Sequence, residues 1–222
     1  MFSARGYPAQ LYHLADRINQ PNLQGLIRRF LFDQLHPDSP ISSEFIALSA
    51  CPDFNGKATV FHSALATFYS PSDQSGIGGM HRQRIRSTPS WRNDAKRQDC
   101  VAVNRDPTLP GFRGLCAAQV LLFFSITFSG TIYPCALVAW FTVVGENPCD
   151  QTGMWIVEPE VSHRQRVVSV IHLDCILSLV HLIPVYGARF LPSHILHTDS
   201  LSAFAAFYVG KFSDHHAHEI VF

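Results

Sequence analysis

The feature that most constrains the fold of this chain is an uncharged apolar stretch near its middle. Residues 115–145 (LCAAQVLLFFSITFSGTIYPCALVAWFTVVG) contain no Asp, Glu, Lys or Arg. A helix of that length could span a bilayer. However, Ser129-Gly130 interrupts the stretch, and both halves are rich in β-branched and aromatic residues, which favour strands. The pattern therefore predicts a buried β-hairpin that turns at Ser129-Gly130, with a membrane segment as the alternative.

Charge is scarce in the chain as a whole. Charged residues make up 15% of the sequence, below the roughly 25% usual in soluble domains, and hydrophobic residues make up 47%. That apolar content can build a core, so it excludes wholesale disorder. The 17 basic side chains balance 17 acidic ones. The composition therefore also excludes a globally basic protein that coats nucleic acid.

The cysteines indicate a reducing compartment rather than a disulfide framework. None of them forms a C-x-x-C pair, and several lie in apolar runs, where a thiol behaves as a small hydrophobe. The six residues are Cys51, Cys100, Cys116, Cys135, Cys149 and Cys175. The N-terminal residues lack the uninterrupted apolar segment of a secretory signal. We therefore expect mostly buried thiols in an intracellular protein, with the nucleus as a candidate location.

The N-terminal region has the pattern of two consecutive helices. Apolar residues recur with helical spacing over residues 11–18 and again over residues 23–35. Pro21 separates the two segments, because a proline disfavours helix at the residue before it. Asn22 is the expected N-cap of the second helix, and its charged residues Arg28, Arg29 and Asp33 are expected on the outer side.

From residue 57 onward, short β-branched and aromatic runs alternate with turn residues, which predicts six or seven strands. A short helix is expected over residues 201–209. The predicted fold class is α+β, with an N-terminal helical pair packed on a small antiparallel β-barrel or sandwich and a short C-terminal helix. The expected divisions are the helical pair (1–40), the β-rich barrel-like domain (41–192) and the C-terminal helix with a His-rich tail (193–222).

A basic stretch over residues 81–97 (HRQRIRSTPSWRNDAKR) is the main electrostatic feature. It carries about +5, so the rest of the chain carries about −5. Arginines around a tryptophan suit phosphate contact and base stacking, although a solvated loop anchored by the tryptophan is the alternative. The candidate nucleic-acid-binding residues are Arg82, Arg84, Arg86, Trp91, Arg92, Lys96 and Arg97.

The C-terminal tail is a weaker candidate for a metal site. Its potential ligands are Asp214, His215, His216, His218 and Glu219. Residues three or four apart would share a helix face, but nothing upstream supplies further ligands with zinc spacing. A structural or solvent-exposed tail is the alternative, and we expect no cofactor.

The sequence offers little for catalysis. The glycine-rich segment 71–80 lacks both the P-loop and the dinucleotide-binding patterns. His172, Asp174 and His181 invite an acid–base interpretation, but their apolar neighbours favour hydrogen-bonded core roles. There is no G-x-S-x-G motif. We therefore expect the protein not to be an enzyme.

Several runs occur in an order that resembles one family. They are INQPNLQGLIRRFLFDQLHPD, VFHSALATFYSPSDQSGIGGMHRQRIRSTPSW, PCALVAWF, TGMWIVEPE, VIHLDCI, HLIPVYG and FYVGKFSDHHAHEIVF. Over about residues 7–222 this order resembles the C-terminal region of Plavaka-type proteins, which are encoded by CACTA-like DNA transposons of fungi. Each run is weakly specific alone, but the set together is specific.

The resemblance implies a module without a catalytic core. In the family an RNase-H-like catalytic core lies upstream of such a region, so no catalytic residue carries over to this chain. The region resembles an accessory β-barrel module for DNA, chromatin or protein contact. One departure is that Ser178-Leu179-Val180 stands where the family more usually has Arg-Ala-Ala, which weakens any surface role at that point and is consistent with a decaying, domesticated or truncated copy.

These observations predict a non-catalytic interaction module derived from a transposon-encoded protein. Its expected partner is DNA or another protein, contacted through the basic loop. Two alternatives stay open: a membrane-associated protein anchored by the apolar 115–144 segment, and a decayed fragment with no selected function.

Overall fold

A computed structural model describes residues 4, 6–69, 78–92, 95–187, 190–191 and 195–212. In this part the chain is mixed α+β, with mostly antiparallel sheet and few helices, as the predicted fold class required. The α-helices are α1 (Leu11–Arg17), α2 (Leu23–Leu35) and α3 (Ser200–Ala203).

The strands of the described residues pair antiparallel throughout. They are β1 (Ala58–Phe61), β2 (Ser63–Tyr69), β3 (Met80–Thr88), β4 (Arg97–Gln98), β5 (Cys100–Asn104), β6 (Leu115–Phe128), β7 (Thr131–Val143), β8 (Ile156–Pro159), β9 (Val161–Ser162), β10 (Gln165–Arg166), β11 (Val168–His172), β12 (Ile176–Leu179), β13 (His181–Pro184) and β14 (Phe207–Gly210). The largest sheet has the order β12-β5-β6-β7-β8-β14-β13, with β1 paired to β6 and β11 to β7. Strands β2, β3 and β4 form a separate three-stranded sheet, and β9 pairs with β10.

The uncharged stretch forms the predicted hairpin. Strands β6 and β7 pair along their length, and Phe128 lies opposite Thr131 at the turn. Ser129 and Gly130 have φ values of 49° and 83°, the left-handed conformation that two-residue hairpin turns require. No helix in the described residues is long and apolar enough to span a membrane.

The two N-terminal helices pack against this hairpin. Leu14, Leu23, Ile27 and Leu31 are fully buried and share one apolar cluster with side chains of β1, β6 and β7. The helical spacing of these residues is therefore explained by the sheet they cover.

Two details of the predicted helices are wrong. Asn22 makes no side-chain capping bond, because its backbone (φ −90°, ψ 12°) is not in the extended conformation typical of an N-cap. The C-terminal helix covers only Ser200–Ala203, and Phe207–Gly210 is a strand between β13 and β8. Phe207 and Val209 are both buried, with partly exposed Tyr208 between them, and this alternation is that of a strand.

The charged residues of α2 bind the following segment instead of facing solvent only. Arg28 and Arg29 together donate to five main-chain carbonyls in the 43–52 segment. The Asp33 carboxylate accepts hydrogen bonds from the Ser43 amide at 3.0 Å and from its hydroxyl at 2.6 Å. This segment, which has no sheet partner of its own, is thereby tied to the helix.

All six cysteines are free thiols, as predicted. Cys51, Cys100 and Cys135 are buried, while the other three are partly exposed. Burial raises the pKa of Cys100 and of Cys135 to about 12, so these two thiols are protonated at neutral pH.

The core roles expected for the 172–181 histidine and aspartate residues are wrong. The Asp174 side chain is 88% exposed and His181 is exposed, while His172 is only partly buried. A turn over Leu173–Cys175 lifts Asp174 into solvent, where its Oδ2 lies 3.5 Å from the Nδ1 of His172. His172 and Asp174 therefore form a surface pair at the end of β11, and His181 is an exposed residue at the start of β13.

Candidate nucleic-acid interface

Most of the basic stretch lies in a strand and not in a loop, which corrects the sequence-based interpretation. Strand β3 pairs with β2, so that Arg82, Arg84 and Arg86 lie opposite Thr67, Leu65 and Ser63. Successive side chains of a strand point to opposite faces, so the three arginines share one face. Among the described residues of this stretch, only 89–92 and 95–96 lie outside the strands.

We call the outer side of the β2–β3 hairpin the arginine face. Its members alternate along the two strands and are exposed or half-buried. They are Ser63, Leu65, Thr67, Tyr69, Met80, Arg82, Arg84 and Arg86. The face combines three cations with exposed apolar side chains, since Leu65, Tyr69 and Met80 are 53%, 63% and 45% exposed. None of its members is acidic.

The inner side of the same hairpin is anchored to the rest of the fold. Ala64 and Ile85 are buried in an apolar cluster with residues of β5, β6 and β7. The Gln83 side-chain oxygen accepts a hydrogen bond of 2.7 Å from the Leu179 amide, and the Ser87 hydroxyl donates one of 2.8 Å to a main-chain carbonyl of β6. The alternation in HRQRIRST thus separates anchoring residues from outward arginines.

Trp91 gathers three of the predicted arginines. The guanidinium carbons of Arg86, Arg97 and Arg92 lie 4.5, 5.3 and 5.6 Å from the centre of its ring system. These are cation–π distances. The tryptophan therefore links the end of β3, the 89–96 segment and β4 into one positively charged cluster.

Asp99 supports this cluster by accepting two hydrogen bonds. Its Oδ1 accepts a 2.7 Å hydrogen bond from the Nε of Arg97, and its Oδ2 accepts a 2.8 Å bond from the main-chain amide of Arg86. The Asp99 side chain is only 10% exposed. A shielded carboxylate in this position fixes the arginine backbone and neutralises one of the cations.

Arg86 is the most constrained arginine of the face. Burial lowers the pKa of its guanidinium, and neighbouring Arg97 lowers that pKa further, while Asp99 acts in the opposite direction. Its Nε is buried and has no hydrogen-bond partner in the described residues. An arginine remains cationic in proteins, so an anion brought to this edge would relieve the crowding of like charges.

The remaining predicted residues have distinct places. Arg82 and Arg84 are exposed on the arginine face, and the Nη1 of Arg84 donates to the Ser63 hydroxyl at 3.3 Å. Arg92 and Lys96 are exposed beyond β3. The predicted residues are thus divided between the arginine face, the Trp91 cluster and Lys96, which lines a cleft together with Trp91.

Sequence reasoning missed the partners of these residues. Leu65 and Tyr69 belong to the arginine face, and Asp99 supports it, yet none was predicted. The strict alternation of Arg82, Arg84 and Arg86 was a signal for a strand with a basic face. The pairing that brings Leu65 opposite Arg84 depends on the register of the hairpin, which that signal does not fix.

The candidate metal ligands of the tail, residues 214–219, lie outside the described residues, as does most of the glycine-rich segment 71–80. Within the described ranges, no group of three or more His, Cys, Asp or Glu residues is placed to hold a metal ion. The tail site stays a prediction.

No family model, curated protein or solved structure matches this chain. The likeness to Plavaka-type proteins is therefore carried by the sequence runs alone and stays a prediction. What the molecule could bind has to be argued from its own surface.

Proposed function

We propose that this chain is a non-catalytic interaction module, derived from a transposon-encoded protein, that contacts DNA through the arginine face. The observation that supports this most directly is the alignment of Arg82, Arg84 and Arg86 on one exposed side of a two-stranded ribbon. The antiparallel sheet behind the ribbon would serve as a barrel-like scaffold that holds it in place.

The spacing of the arginines suits a nucleic-acid backbone. Alternate side chains of a strand are about 6.8 Å apart, which equals the rise of two base-pair steps at about 3.4 Å per step. Three such cations in a row match a line of phosphates better than a single carboxylate. A two-stranded ribbon also has the width that the major groove admits.

The rest of the face adds contacts that a purely electrostatic patch would lack. Tyr69 and Met80 pair with each other at the described end of the hairpin, and both are exposed. Aromatic side chains stack on bases, and apolar ones contact thymine methyl groups. With no acidic member on the face, nothing in it repels a polyanion.

The test is a titration of the purified full-length chain with a labelled DNA duplex, followed by fluorescence anisotropy at about 50 mM and about 200 mM salt. Binding should weaken steeply with salt, because each phosphate contact contributes a slope of about 0.9 in log K against log salt. In the Arg82→Gln/Arg84→Gln double variant, that slope should fall by about 2 and the affinity at low salt by at least about tenfold.

A matched control is the Arg113→Gln/Arg164→Gln double variant, which removes two exposed arginines elsewhere and changes the net charge equally. It should leave binding nearly unchanged. Equal losses in both double variants would show that only net charge matters. Binding that is absent, or insensitive to salt, would overturn the DNA proposal, and preferential binding of single strands would replace duplex DNA as the ligand.

A further inference from the structure

A cleft of about 880 Å³ opens beside the Trp91 cluster. It lies between β4, the β9–β10 hairpin and the start of α3. The residues of its lining that matter here are polar or aromatic and come from three separate segments. They are Trp91, Lys96, Arg97, Arg166, Asp199 and Phe204. Small-molecule sites have volumes of about 300–1,000 Å³, so the cleft has the size of a ligand pocket.

The charge of the cleft is dominated by cations. Lys96, Arg97 and Arg166 line it against one acidic residue, Asp199. Because Asp99 pairs with Arg97, the cations without an ion-pair partner in the described ranges are Lys96 and Arg166. Asp199 is already engaged, since its Oδ2 accepts the main-chain amide of Leu196 at 3.1 Å. The cleft therefore favours an anion.

Arg166 is only partly compensated in this cleft. Burial lowers the pKa of its guanidinium, and nearby Glu160 acts in the opposite direction. Its Nη2 donates to the Trp140 carbonyl at 2.9 Å, and its guanidinium carbon lies 4.7 Å from the centre of the Phe141 ring. Its Nε is buried without a hydrogen-bond partner, and in the described ranges no carboxylate forms an ion pair with it. A half-buried guanidinium normally has an anionic partner. Arg97 has such a partner in Asp99, whereas Arg166 forms no ion pair in the described ranges.

The cleft also offers flat apolar surface next to these cations. Phe204, Leu201 and Pro159 line the same space as Trp91. A ligand that fills both parts needs a phosphate or similar anion joined to a planar ring. Nucleotides combine these two features, because their bases stack on aromatic side chains and arginine binds their phosphates.

We infer that this cleft binds a nucleoside monophosphate, with the phosphate at Arg166 and Lys96 and the base along the Trp91 and Phe204 side. Such a unit has two sources: a free nucleotide, or one nucleotide of a strand held by the arginine face. Only the second source rests on the proposed function. The site uses Arg166, which the sequence did not single out.

The experiment is isothermal titration of the full-length chain with adenosine monophosphate, adenosine and inorganic phosphate as separate probes. The monophosphate should bind at least about tenfold more tightly than either part alone, since only it engages both halves of the cleft. Arg166→Gln should weaken that binding by at least about tenfold, the effect of losing a charged hydrogen-bond partner.

Arg164→Gln is the matched control, because it removes an exposed arginine of the same β9–β10 hairpin; it should leave the affinity unchanged. Arg166→Lys keeps the charge without the planar fork and should lie between the wild type and Arg166→Gln. Lys96→Gln, an exposed residue outside the sheet, gives a second readout should Arg166→Gln fail to fold, and it should also weaken binding.

The Arg82→Gln/Arg84→Gln variant distinguishes the two sources of the nucleotide. A free-nucleotide site keeps its affinity for adenosine monophosphate there, even if the proposed DNA function fails. A site that serves only a bound strand shows no binding of the free monophosphate, but Arg166→Gln then weakens oligonucleotide binding. If the monophosphate does not bind and Arg166→Gln leaves oligonucleotide binding intact, the inference is overturned.

Discussion

The Oδ1 of Asp99 accepts a 2.7 Å hydrogen bond from the Nε of Arg97 at a position where the carboxylate is only 10% exposed. The pair is therefore unlike a surface ion pair, which contributes little because water and salt screen it. Since the other oxygen of Asp99 holds the main chain of Arg86, this one residue, which lies between β4 and β5, bonds to both basic strands.

Asp99→Asn should lower the free energy of unfolding by about 1–3 kcal/mol, the cost of losing charge-assisted hydrogen bonds. An amide has a single acceptor oxygen, so it cannot accept both bonds that the carboxylate accepts. Urea unfolding followed by circular dichroism measures the change. The control is Asp53→Asn, because Asp53 is 70% exposed and lies 3.8 Å from Arg28; a similar loss there would refute a special role for Asp99.

Gly130→Ala should destabilise the central hairpin by about 1–2 kcal/mol, because φ at Gly130 is 83° and an L-residue is strained in that conformation. The added methyl group itself meets no atom within 4 Å. Gly187→Ala is the matched control, since its Cβ also meets no atom and its φ is not positive. Thermal unfolding of both variants measures the cost of placing an L-residue at the positive φ of Gly130. Equal melting temperatures of the two variants would contradict that cost.

Asp33→Ala should loosen the 43–52 segment from α2. The variant removes both hydrogen bonds to Ser43, at a cost of about 1–2 kcal/mol. Hydrogen exchange should speed up at the Ser43 amide more than in the central hairpin. The control is Asp38→Ala, which alters another exposed aspartate; it should change neither the stability nor the exchange rate of the Ser43 amide. If the Ser43 amide stays protected in Asp33→Ala, the arginine contacts alone are enough to hold the segment.

Stability should fall as the pH rises above 9. Burial raises the pKa of Cys100 and Cys135 from 9.0 to about 12. Below pH 9 both the folded and the unfolded thiols are protonated, so their contribution to stability is fully present; above it only the unfolded chain loses these protons. Between pH 9 and 12 each thiol should lower the free energy of unfolding by about 1.4 kcal/mol per pH unit.

The measurement is urea unfolding at about pH 7 and about pH 10. Other groups also titrate in this range, so the comparison is with Cys135→Ala, whose pH dependence should be shallower by one thiol. A variant with the same slope as the wild type would show that Cys135 does not titrate as its burial requires.

Local sequence patterns predicted the parts of the fold that local chemistry determines. Ser129-Gly130 specified a tight turn, and the spacing of Leu14, Leu23 and Ile27 specified buried helix faces. Residues 207–209 were included in the predicted helix 201–209, because their apolar residues fit either period. The partners β8 and β13, which are distant in sequence, decide for a strand.

The candidate site was predicted in composition but not in geometry. The seven candidate residues came from one stretch of sequence, yet their division between a strand face and a tryptophan cluster depends on long-range contacts. The bond from Leu179 to Gln83 spans 96 positions, and Arg166 reaches the cleft from a different hairpin. No pattern within a short window carries such information.

The inward residues of β3, Gln83, Ile85 and Ser87, hold the hairpin on the fold. Of the outward arginines, Arg82 and Arg84 are exposed, while Arg86 is held at Trp91 and Asp99. The residues that anchor this strand and those that face outward thus alternate along its sequence. Substitutions at Arg82 and Arg84 can therefore alter the outer surface of this ribbon while the anchoring contacts of its inner side stay in place, so the surface can change much faster than the architecture.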